Sequence, residues 1–269
     1  MQNALQNYQT KRNEKTNITE VWYNLLIKLK LQKDATIVEL APGFKSKIGR
    51  AVAQHNHTGK YHLIEPNDSA RENVLSEYKH LLQGNINAHA NCFQQIQIGK
   101  ELQTRPNFLL ANHALDDIVL AKATSPDDLC TFFSMNSGPE RIERTRELWN
   151  QISSAKLNQY IYEAAKDLQE FIEKLRPKIT ILSHYESKTL TENSILRPTV
   201  VGNKVSELLY RQFQRKIDRD NTNRKDNGRN YDGRKDTRKV YPNRSPAKTE
   251  YTKYIAQSGY GDKWVILYD

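Results

Sequence analysis

The chain has 269 residues, a formal net charge of +10, 37% hydrophobic residues and a mean hydropathy of −0.80. That length suits one large α/β domain with an appendage, and the polarity excludes a compact globule throughout, so part of the chain is expected as solvated loop. Two cysteines, Cys92 and Cys130, exclude a disulfide framework, and no apolar run approaches the ~18 residues of a membrane-spanning helix.

The polar start, with Gln2, Asn3, Gln6 and Asn7, lacks a signal-peptide pattern, so a cytoplasmic protein is expected. Residues 1–16 read as a frayed beginning, and residues 1–33 as an N-terminal helical extension. In it Asn17 or Thr19 caps a helix carrying Val21, Trp22, Leu25, Leu26 and Leu29 at helical spacing. Residues 34–269 then read as one α/β domain. Its first strand, Thr36-Ile37-Val38, runs through Glu39 into a tight turn, Ala41-Pro42-Gly43, and a helix is expected over 46–55. Tyr61-His62-Leu63-Ile64 forms a second strand ending in Glu65, a spacing at which an acid commonly takes ribose hydroxyls. Asn67 or Asp68 caps the next helix, whose apolar face is Ala70, Val74, Tyr78, Leu81 and Leu82. A short third strand is expected over 86–89.

Phe108-Leu-Leu-Ala is a buried strand that turns polar at Asn112 and His113, and Asp116 and Asp117 follow. Residues 124–176 read as a helical cap or insertion, with Pro-flanked turns and a Phe132-Phe133 pair over 124–139. Pro177 ends it, and Ile179-Thr-Ile-Leu-Ser is a fifth strand that leads into His184 and Tyr185. Residues 200–217 are expected to be partly helical. Residues 211–248 differ in kind: 13 Lys/Arg stand against 5 Asp/Glu, and apolar residues are scarce. Such a segment buries too little surface to offset its ordering entropy and is expected as a flexible basic insertion. Trp264-Val-Ile-Leu-Tyr268 is a last strand at the C-terminus, so the insertion lies within one sheet.

Glu39-Leu-Ala-Pro-Gly43 resembles motif I of the class I S-adenosylmethionine-dependent methyltransferases. It is less like the dinucleotide fingerprint, whose second and third glycines are replaced by Phe44 and Lys45. Ile64-Glu65-Pro66-Asn67 is similar to that family's acidic motif after the second strand. Asn112-His113-Ala-Leu-Asp116-Asp117 lies where its fourth strand opens into the active site. The resemblance implies a doubly wound, mostly parallel Rossmann-like sheet with an antiparallel C-terminal strand. It implies S-adenosylmethionine as cofactor, bound by Glu39, Ala41, Pro42, Gly43, Glu65, Pro66, Asn67, Asn91 and Asn112. Adenine would lie near Asn67 and residues 89–92, where Asn91 replaces the acid usual in the family.

For catalysis, His113 is the candidate general base, beside Asn112 and Asp116. Asp117, His184 and Tyr185 are the candidate substrate contacts. No metal is expected; His55-x-His57, without an acidic or thiol partner, reads as a solvated helix end. A Walker-type Gly-Lys-Ser/Thr loop is missing, and Glu39 would repel phosphates. The fourth strand lacks an Asp/Asn-Pro-Pro-Tyr/Phe run, and neither cysteine follows a proline, which argues against the exocyclic-amine and cytosine-C5 nucleic-acid methyltransferases. The expectation is methyl transfer to an O, N or S nucleophile of a small molecule, protein or RNA. The alternative is a non-catalytic methyltransferase-like module that binds nucleic acid or a protein partner through 211–248, with Tyr210, Phe213, Tyr231 and Tyr241 as stacking partners.

Overall fold

The computed structural model describes residues 17–226 and 264–268. Six strands, β1 (Ile37–Leu40), β2 (Tyr61–Ile64), β3 (Ile86–His89), β4 (Phe108–Asn112), β5 (Ile179–Ser183) and β6 (Val265–Tyr268), form one sheet in the order β3-β2-β1-β4-β5-β6. All neighbours are parallel except β5 and β6, which are antiparallel. The order reverses between β1 and β4, so their carboxyl ends flank the crevice where doubly wound sheets take ligands.

Strand side chains alternate between two helical layers. Val38, Leu40, Leu109, Ala111 and Leu182 face α4 (Leu115–Ala123), α6 (Pro139–Gln151), α7 (Ser154–Leu175) and α9 (Arg197–Asp226). Ile37, Leu63, Phe108, Leu110 and Ile181 face α1 (Ile18–Lys28), α2 (Ile48–Ala53) and α3 (Asp68–Leu81). The remaining helices are α5 (Pro126–Ser134) and the short α8 (Lys188–Glu192).

Local signals explain most boundaries. Asn17 and Asn67 cap α1 and α3 by accepting from the backbone N–H of Thr19 and Ala70, each at 2.9 Å. Ser153 separates α6 from α7 by capping the second, and Arg176 closes α7 in the left-handed region at φ 54 ahead of Pro177. The helix after the glycine turn is shorter than expected. The stretch over 124–139 contains a full helix, α5, begun by a Ser125 cap and Pro126, where turns were expected.

One expectation is corrected. Helix α9 continues to Asp226, so 211–226 is helical and not a loop; residues 227–248, like residues 1–16 that were expected to fray, lie outside the described residues. The N-terminal helix packs on the sheet: Val21, Trp22, Leu25 and Leu26 are fully buried in the core shared with β1, β2 and β4. Among the described residues no helix is long and apolar enough to cross a membrane.

Candidate active site at the switch point

Three of the nine positive φ angles among the described residues lie at the carboxyl ends of β1 and β4. Ala41 sits at φ 47, Gly43 at φ 65 and His113 at φ 56. Non-glycine residues held in the left-handed region carry strain that surrounding contacts must maintain, and such residues concentrate at ligand sites. At Gly43 a Cβ would meet nothing within 4 Å, so this turn faces open space.

Glu65 ties this turn to the next strand end. One carboxylate oxygen accepts from the Gly43 N–H and the other from the Asn67 N–H, both at 3.0 Å. Burial raises its pKa, and those two hydrogen bonds, with Arg71 nearby, pull it back. Each oxygen retains a second lone pair, so the carboxylate can still accept from two hydroxyls. Around it Pro66 is exposed and Asn67 buried, while the Asn67 side-chain amide reaches Cys130 Sγ of α5 at 3.5 Å. Asn91 is exposed in the loop after β3.

Glu39 does not open to the crevice. On the alternating strand it shares the face of Ile37 and points into the layer of α2 and α3. Its Oε2 accepts from Tyr61 at 2.6 Å and from Tyr78 at 2.5 Å, and the residue is 1% exposed. Desolvation prevails over the two hydroxyl donors and pushes its pKa up to about 7. Direct contact between Glu39 and a ligand is therefore corrected: the carboxyl fastens β2 and α3 to β1. Neither tyrosine stood out in the sequence, because each lies on an apolar face at core spacing.

Across the crevice the Asn112 amide is fully engaged. Its Oδ1 accepts from Trp22 Nε1 at 2.9 Å and Ser183 Oγ at 3.4 Å, and its Nδ2 donates to Tyr185 Oη at 3.3 Å. Lys47 Nζ also reaches Tyr185 Oη, at 3.3 Å. Lys47, at the start of α2, has its pKa lowered by burial and pulled back by Asp117. Asp117 in turn is pushed up to about 8 by burial and by the Asp116 charge, against the pull of His113 and Arg141. Arg141 comes from α6, where it lies 5.1 Å over the Phe132 ring and donates to the Met135 carbonyl. The expected cap thus lends a cation to the site, a contribution that sequence spacing does not disclose.

The His113 ring packs edge-on against the Tyr185 ring, 4.5 Å between centroids. Its Nε2 donates to the Tyr185 carbonyl at 2.7 Å, and burial lowers its pKa. Asp116 is 5% exposed and His184 fully buried. The expectation that His184 lines an open substrate pocket is corrected, because successive residues after β5 face opposite layers and only Tyr185 joins Asn112. The solvated reading of His57 fails as well: it is buried, and its Nε2 lies 2.7 Å from the Ala35 carbonyl.

No family model matches the chain, and no curated protein matches it. Solved structures similar to it include the plantazolicin methyltransferase in complex with SAH, 8% identical at a TM-score of 0.43, covering 98% of this chain and 86% of that one. Another is an S-adenosylmethionine-dependent methyltransferase from Clostridium acetobutylicum, 8% identical at 0.34, covering 67% of this chain and 54% of that one. A third is coclaurine N-methyltransferase bound to N-methylheliamine and SAH, 10% identical at 0.34, covering 62% of this chain and 36% of that one. The chain thus spans about half and about a third of the latter two proteins. At these identities and scores function must be read from the side chains.

Proposed function

We propose that the chain is an S-adenosylmethionine-dependent methyltransferase acting on an O, N or S nucleophile. The observation that carries this reading is Glu65. It is a buried carboxylate at the end of β2, bonded to a left-handed glycine turn at the switch point, with open space beyond the turn. The residues present fit the cofactor. Glu65 accepts the ribose hydroxyls, Gly43 lets the backbone approach, and Pro66, Asn67 and Asn91 border the place for adenine. Lys47 supplies a positive charge for the carboxylate of the amino-acid end, and Asp117 an oxygen acceptor for its amine.

When bound, S-adenosylmethionine supplies a methyl carbon already activated by a sulfonium. Glu65 and the Gly43 turn would hold it and present that carbon to a nucleophile's lone pair, with the carbon–sulfur bonding pair going to sulfur and any proton of the nucleophile to solvent. The protein's task is then to hold the nucleophile in line and exclude water. Tyr185 and Asn112, braced by Trp22 and Ser183, form the rigid wall for that alignment.

Calorimetry of the full chain with S-adenosylhomocysteine tests the reading. Binding is expected, and Glu65→Ala should weaken it by about 1.5–3 kcal/mol, the worth of hydrogen bonds to a charged group. No heat at millimolar ligand, or wild-type affinity in the variant, sinks it. The composition of 211–248 supports the second reading, a polyanion-binding module in the cytoplasm; unchanged RNA affinity at two salt concentrations after deleting 211–248 removes it.

A further inference from the structure

Behind the Asn112 wall lies a group of side chains that the methyl-transfer reading leaves unused. His113 Nδ1 is 3.7 Å from Asp116 Oδ1, and His184 Nδ1 is 3.6 Å from the same oxygen. One ligand atom from each of the three residues lies within 4.8 Å of the others. Both separations exceed a hydrogen bond. Asp116 Oδ1 and His184 Nδ1 are buried without a hydrogen-bond partner. Buried polar atoms are rarely left so, because each costs about 1–3 kcal/mol when unsatisfied. Two of them facing each other, with His113 Nδ1 beside them, call for a shared partner.

The tautomers decide what kind of partner. A carbonyl oxygen only accepts, so His113 Nε2 must carry the proton it gives to Tyr185. The Nδ1 lone pair of the neutral ring is therefore aimed toward Asp116. Fixing the far nitrogen on a backbone carbonyl is how metal-binding imidazoles are oriented. The His184 ring, packed against the backbone of Gly202, lies 4.9 Å from the His113 ring, centroid to centroid. Two neutral imidazoles and a carboxyl oxygen offer three lone pairs, and water could donate to only two of them.

We propose that His113, Asp116 and His184 form a three-ligand site for a divalent transition-metal ion of the zinc class. Nitrogen ligands select such ions over magnesium or calcium. Ligand atoms around tetrahedral zinc lie roughly 3.3 Å apart, so closure shortens the two contacts to Asp116 by a few tenths of an ångström and the pair of histidine nitrogens, within 4.8 Å, by up to about 1.5 Å. The positive start of α4 opposes a cation, and the Asp116 carboxylate that would ligate it offsets that effect. Three protein ligands leave a coordination position free, as in catalytic zinc sites. His113 alone of the three is partly exposed, so that position opens on its side, toward the crevice. A substrate hydroxyl or thiol bound there would lose its proton readily, which removes the need for His113 as a base. That last link rests on the methyltransferase reading; the ion site itself does not.

The test uses the full chain, stripped with chelator, dialysed against zinc(II) chloride and assayed for bound zinc by mass spectrometry. One ion per chain is expected. His113→Ala and Asp116→Asn should each lower zinc affinity at least roughly tenfold, as losses around metal sites do. Because Asp116 is buried, the fold of each variant is checked by circular dichroism, and the wild type is also titrated with cobalt(II). An intense visible absorption band of low-coordinate cobalt supports the site; a spectrum like that of aqueous cobalt overturns it. Absence of retained zinc, or equal uptake by the folded variants, overturns it too. S-Adenosylhomocysteine binding is measured separately on the zinc-free protein, so loss of one reading leaves the other standing.

Discussion

Glu39 shows how one residue answers two constraints. Two tyrosine hydroxyls favour its charged form, yet full burial disfavours it more strongly, and the pKa settles near about 7. Between pH 4.5 and about 7 the folded protein holds a proton that the unfolded chain has released. Stability is therefore lost as pH rises through that window, by on the order of 3 kcal/mol. Glu39→Gln keeps an acceptor for Tyr61 and Tyr78 and cannot ionise. Its melting temperature should match the wild type near pH 4.5 and exceed it increasingly toward pH 7 and above. Parallel curves across that range would show that the carboxyl is charged at all those values. An acid at this position was evident in the sequence. That it points into a helical layer was not, because the direction depends on which face of β1 each helix covers.

At the scale of elements, the contact between α2 and α3 is set by Gly49. A Cβ there would lie 2.2 Å from the Tyr78 ring, and the Gly49 N–H donates to Tyr78 Oη at 3.2 Å. Gly49→Ala must push α2 off α3 and lift Tyr78 from Glu39, an overpacking that costs about 1–3 kcal/mol. Chemical denaturation should show that loss, and unchanged stability would mean that the ring moves freely. Helix and strand positions were largely legible beforehand, since β-branched runs and Asn caps act locally; β2 and β3 fall where the pattern put them. Helix α5 was not, because its brief apolar stretch gains stability from packing Phe132 beneath α6, a contact between distant surfaces.

At the scale of the molecule, α1 is part of the core. Trp22 is fully buried, stacks 5.1 Å from Trp264 beside β6, and donates to Asn112 at the site. The first described helix, the last strand and the crevice wall are thus joined through one side chain. Removing residues 17–33 should abolish cooperative unfolding and near-ultraviolet circular dichroism, since losing even one buried large aromatic costs about 3–5 kcal/mol. A truncated chain with a sharp thermal transition would show instead that α1 is an accessory.

What the sequence by itself determined were the features that neighbours along the chain control. These are the strand–turn–helix order, the glycine turn, the acid at the end of β2 and the presence of a strand at the C-terminus. Each depends on periodicity, backbone freedom or capping within a few residues. Only the tertiary structure decided which side chains meet. Glu39 faces two tyrosines, Arg141 of the cap acts through space on the Asp117 carboxyl, and His184 joins His113 and Asp116 although 71 positions separate the two histidines. Those meetings follow from strand order and from which layer each alternate residue enters, and both are properties of the assembled sheet.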